Sequence, residues 1–98
     1  MGIISMVYLQ VENQGENVEF NLNLSKTHSI SLEIFSITGR KIKKLVSTIP
    51  LVSGQYKYYW NGYDHFGLPI CQNQFFAKLL FDDSSLIKYF EFNQSVSS

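Results

Sequence analysis

The residues best equipped for chemistry in this chain fall in one stretch, "YYWNGYDHFGLPI", Tyr58 to Ile70. It holds the only tryptophan, an adjacent Asp64–His65 pair, three tyrosines and two glycines. Asp and His together are the material of general acid–base work, and planar aromatics can stack on sugar rings. Yet neighbours on an extended chain point their side chains apart. A catalytic pair also needs a nucleophile or a second carboxylate within reach, and the sequence nominates none. Cys71 is the single cysteine, so no intrachain disulfide forms. His28 and His65 are its only potential co-ligands, short of a zinc set, and the alternating Asp/Asn spacing of a calcium loop is absent. The expectation is no catalysis, no cofactor and no metal.

The same residues suit a strand followed by turns. Asn61 can bond its own backbone two residues on, and Gly62 accepts a left-handed conformation. Asp64 can do the same for a second turn that Gly67 closes, and Pro69 presets φ for the next extended segment. Trp60 shares a face with Tyr56 and Tyr58, as expected of a tryptophan buried in a sandwich core.

Elements must position that stretch, and period-two patterning supplies them. In "VEFNLNLS" Val18, Phe20, Leu22 and Leu24 point one way; in "SISLEIFS" Ile30, Leu32 and Ile34 point inward. "SITGRKI" reads as a hairpin turning at Gly39, and the three-residue spacing of Ile42 and Leu45 breaks the period and suggests a bulge. A looser segment with Pro50 and Gly54 follows, then "QYKYYWN", "QFFAKLLF" and "LIKYFEF", the last two joined by "DDSS". With an N-terminal strand this gives about seven short strands. Turn signals separate them, the pattern of an all-β sandwich or barrel.

Length and composition bound the rest. The chain has 98 residues, one domain by length, and its formal net charge is +0. No basic field draws nucleic acid or anionic membrane, and the lysines of "GRKIKKL" read as the wet face of a strand. The apolar opening "MGIISMVYLQV" is too short to span a bilayer and lacks the pattern of a signal peptide. The chain is thus expected to be intracellular or a piece of a longer parent, and residues 93–98 to be a polar tail.

The run from Ser29 to Phe81 resembles the Ig-like domain of flagellar hook-capping proteins (the FlgD-type Ig-like family). Gly39 and Arg40 match the family's GR hairpin, with Ile34 and Phe35 before it and Ile42 and Leu45 after it. Gly54 precedes the aromatic strand; Trp60 and Gly62 match the W and G of its WDG, and Asp64, Gly67, Ile70 and Phe75 follow in register. Asn61 replaces the Asp of WDG and Asn73 replaces a Gly, residues that tolerate the same turns. The likeness covers residues 18 to 92. It implies an Ig-like or fibronectin III-like sandwich of about seven antiparallel strands. It also implies a non-catalytic module of a larger bacterial cell-envelope, flagellar or secreted protein, at the cell surface, outside the cell or in the periplasm. Such a module acts in assembly, adhesion or as a spacer, with a protein partner or attached parent domains. Gly39, Gly54, Trp60, Asn61, Gly62, Asp64 and Gly67 then form a turn-and-core signature.

Two alternatives carry different expectations. A carbohydrate-binding module would use exposed aromatics, and Tyr59, Tyr63, Phe66 and Tyr89 are the candidates by alternation. A C-terminal secretion-sorting domain of the type IX kind would open on a "PNPF"-like segment, which this chain lacks.

Overall fold

The computed structural model describes residues 6–93, so the tail expected at 93–98 lies, from residue 94 on, outside the described residues, as do residues 1–5. Seven strands follow in order: β1 Val7–Asn13, β2 Val18–Leu24, β3 His28–Ser36, β4 Lys41–Leu51, β5 Gly54–Trp60, β6 Gln74–Phe81 and β7 Ser84–Glu91. They form two antiparallel sheets, β1-β2-β5 and β4-β3-β6-β7, with no helix among the described residues. The all-β expectation holds, and the architecture is a β-sandwich.

Alternation explains which face each strand buries. On β2 Val18, Phe20, Leu22 and Leu24 are buried against the opposite sheet's Ile30, Leu32, Ile34, Phe75, Ala77 and Leu79. β3 lies between β4 and β6, so even its outward residues are covered. Ser31 is buried and donates to the Val46 carbonyl at 3.2 Å; Glu33 is buried beneath Lys41 at 2.8 Å and Lys44 at 3.9 Å. A buried carboxylate needs such partners, since removing a charge from water is costly. Among the described residues no buried side-chain polar atom lacks a hydrogen bond.

β4 departs from the sequence expectation in two ways. Phe35 pairs with Lys41 and Ile34 with Lys43, which leaves Ile42 as an extra residue; likewise Glu33 pairs with Lys44 and Leu32 with Val46, leaving Leu45. A third shift falls between Ile30–Ile49 and Leu32–Val46, so the expected bulge occurs three times, and the second buried position is Val46, with Leu45 only half-buried. Pro50 lies inside the strand rather than in a loose segment, opposite Ser29. β4 is an edge of its sheet, where a missing N–H need not interrupt a ladder.

Trp60 ends β5 and is 1% exposed. Its ring meets Phe75 edge-on at 4.9 Å and packs against Phe92 at 5.6 Å and Phe90 at 6.0 Å, bringing both sheets together on one side chain. Tyr56 and Tyr58 are half-buried on the same face. Trp60→Ala is expected to cost about 3–5 kcal/mol, against a total of about 5–15 kcal/mol for a domain. Denaturant melts measure it. Native tryptophan emission should be blue-shifted and move red on unfolding; native emission at the water-exposed limit would contradict this burial.

Candidate functional site

After Trp60 the chain turns at once. The Tyr63 amide donates to Asn61 Oδ1 at 3.2 Å, and Gly62, buried, takes φ +89°. Trp60 Nε1 then donates to the Tyr63 carbonyl at 2.9 Å, and the Ile70 amide closes the loop on the Gly62 carbonyl at 3.1 Å. The core indole is thus satisfied by the backbone of the turn that follows it.

Asp64 organises the second turn. It is 7% exposed, and its Oδ1 accepts the Phe66 and Leu68 amides, both at 2.9 Å. Its own amide donates to the Leu68 carbonyl at 2.8 Å, and the Gly67 amide donates to its carbonyl at 3.0 Å, with Gly67 at φ +81°. The bond from the Leu68 amide, then that from Phe66, holds the Asp64 carboxyl below the ordinary carboxylate range, against a desolvation that pushes it up. A carboxylate fixed this way is a poor general base. His65 is exposed; its amide donates to the Ile42 carbonyl at 3.2 Å, and its ring rests on Phe66 at 3.9 Å between centroids. Arg40, Asp64 and Cys71 share the wall of a shallow depression, a juxtaposition that sequence spacing did not suggest. Cys71 is exposed there, and no group of three metal-ligating side chains occurs among the described residues.

Gly39 turns the β3–β4 hairpin, where the Ser36 amide donates to the Arg40 carbonyl at 2.8 Å, and Gly54 opens β5. A tie missed in the sequence pins the β6–β7 turn to β3. Buried His28 Nδ1 lies 2.5 Å from Asp82 Oδ2, while the Ser29 amide donates to Asp82 Oδ1 at 3.2 Å. The His28 bond, chiefly, holds the Asp82 carboxyl below its ordinary range.

The four candidate surface aromatics do not make one platform. Tyr59 lies on the outer face of the three-stranded sheet and donates to Glu19 Oε1 at 3.0 Å, a bond that holds its phenol above the ordinary range and so keeps it neutral. Tyr63 and Phe66 sit in the β5–β6 connection, Phe66 73% exposed. Tyr89 belongs to the opposite sheet, 69% exposed, packed on Phe76 at 5.6 Å. Phe76 in turn stacks on Phe35 at 5.1 Å and 7°. Phe35, Phe76 and Tyr89 are register neighbours on β3, β6 and β7, so an aromatic row crosses the outer face of the four-stranded sheet. Exposed Ile37 and Ile87 flank it, and Lys78 lies beside Ile87 in the next row.

The turn chemistry sets an order of mutational effects. Gly67→Ala is expected to destabilise by about 1 kcal/mol through its positive φ alone, since a Cβ there meets no atom within 4 Å. Gly67→Asn should cost less, because Asn visits that conformation more readily. His65→Ala should leave the melting temperature unchanged. Loss of a ligand-binding event in His65→Ala at constant stability would contradict a structural role for this stretch.

Compared with known proteins, the chain matches no family model, no curated protein and no solved structure.

Proposed function

We propose that this chain is a non-catalytic Ig-like accessory module of a larger bacterial cell-envelope, flagellar or secreted protein, acting in assembly or adhesion. One observation carries the reading: the aromatic row Phe35–Phe76–Tyr89, flanked by Ile37 and Ile87, on the outer face of the four-stranded sheet. An outer sheet face exposed to water is ordinarily polar, as Gln10, Glu12, Asn21, Asn23 and Lys57 are on the other sheet, where Tyr8 and Tyr59 stand apart from one another. A contiguous apolar strip marks a surface that another macromolecule covers. The Trp60–Ile70 stretch adds support, since Asn61 Oδ1, Asp64 Oδ1 and Trp60 Nε1 each bond the backbone of the turns.

A sugar platform is less well supported. Tyr59 and Tyr89 lie on opposite faces of the sandwich, and Phe35 and Phe76 stack on one another rather than side by side.

Site-specific photocrosslinking in cells that make the protein from its own gene tests the proposal. A benzophenone side chain at Tyr89 should give crosslinks to protein; the same group at Tyr59 should give few. In parallel, the purified chain should stay in the supernatant with insoluble cellulose, chitin and peptidoglycan. Sedimentation with a polysaccharide that Tyr59→Ala abolishes, or equal crosslinking from both faces, would overturn it.

A further inference from the structure

Resting on that assembly reading, we infer that β7 is a self-association edge, by which two copies of this chain pair antiparallel about Ile87. β4 and β7 are the edges of the four-stranded sheet, and they differ. β4 is blunted by bulges, Lys41, Lys43, Lys44 and Pro50, the usual protections against edge-to-edge pairing. β7 runs in unbroken register with β6 over its whole length and carries one charge between Ser84 and Phe90, Lys88. β1 is equally regular, but its exposed face is Tyr8, Gln10 and Glu12, and Tyr8 neighbours Asn23, so it continues no apolar row.

The phase of the ladder shows which β7 backbone groups are free. The Phe92 amide donates to the Asn73 carbonyl at 2.9 Å, one step beyond the Glu91–Gln74 pair. Hydrogen-bonded and non-bonded pairs alternate along an antiparallel ladder. Leu86, Lys88 and Phe90 therefore bond to β6, while the N–H and C=O groups of Ser85, Ile87 and Tyr89 point outward. Asn13 Nδ2 takes the next outward carbonyl, that of Glu91, at 2.9 Å. The open edge is thus Ser85 to Tyr89, and its centre is Ile87, 44% exposed.

A segment with a central outward-bonding residue is suited to pair with its own copy, because a two-fold axis through Ile87 satisfies both edges at once. Ile87 then faces Ile87, and Ser85 faces Tyr89. Lys88 faces Leu86 rather than the other Lys88, whereas the next admissible register, Ile87 on Tyr89, sets the two ammonium groups opposite each other. Like charges directly opposite disfavour that register. The opposite shift, Ile87 on Ser85, leaves Tyr89 facing Asp83 in the β6–β7 turn, so the register centred on Ile87 engages the whole open edge. The net charge of +0 leaves no overall repulsion between copies. Pairing joins two four-stranded sheets and brings the two Ile87 side chains together beside Tyr89. A contact of five residues per copy is small, so the affinity is micromolar or weaker.

Sedimentation equilibrium of the purified chain over a concentration series tests this. The mass should rise from 11.3 kDa toward twice that value. Ile87→Lys and Ile87→Glu should each remain monomeric, and an equimolar mixture should regain the dimer, because the two side chains meet on the axis. Circular dichroism and melts verify that each variant is folded. Ile87→Pro supplies a second route, since it removes only the outward N–H and leaves the β6 ladder intact; it too should be monomeric. A wild type that stays monomeric throughout, Ile87→Lys as dimeric as wild type, or no rescue in the mixture overturns the inference. Protein crosslinks from Tyr89 in cells, with a monomeric chain in solution, would overturn the pairing alone and leave the assembly reading standing.

Discussion

The burial of Trp60 is the constraint on which most of the structure depends. Its ring fills the space where Phe75, Phe90 and Phe92 meet, so it joins the last strand of one sheet to the last two of the other. An indole so buried must still place its N–H, and an unmet donor in a core costs roughly 1–3 kcal/mol. The Tyr63 carbonyl meets that need only if the chain folds back within three residues. That demand explains Asn61 and Gly62, and it delivers Asp64 to the position where its carboxylate organises the next turn. Core and loop are therefore one problem with one solution.

The outer faces of the two sheets divide the remaining surface into two kinds. The three-stranded sheet presents amides, with Glu19 held by Asn21, Tyr59 and Lys57, and those bonds, Asn21's first, keep its carboxyl below the ordinary range. The four-stranded sheet presents aromatic rings over a base of lysines gathered around Glu33. The second arrangement gains from being covered; the first does not.

Much of this was legible in the sequence, because local rules govern it. Alternation gave the inward residues of β2 and β3, and Gly39 with Arg40 gave the hairpin. Asn61, Gly62, Asp64 and Gly67 are turn residues by type, and the structure places them in those turns. What alternation could not show was anything set by pairing. The three extra residues of β4 depend on its register with β3, and Pro50 sits in a strand because that strand is an edge. His28 and Asp82 meet across 54 positions, and no spacing rule reaches that far. The same holds for Phe35, Phe76 and Tyr89, which look like scattered aromatics until strand order makes them a row. Pairing also separated Tyr59 from Tyr89, which type and exposure alone had grouped together.

Native-state hydrogen exchange of the Trp60 indole N–H tests most directly whether core and turn are a single unit. Followed with the Phe66 and Leu68 amides and core amides of β2 and β3, it compares the loop with the centre of the fold. If the turn is part of the core, the indole and both loop amides exchange only through global unfolding, with the same free energy as Phe20 and Leu32. Indole exchange at the rate of a mobile loop, while Phe20 and Leu32 stay protected, would contradict that unity and reopen the stretch as a site.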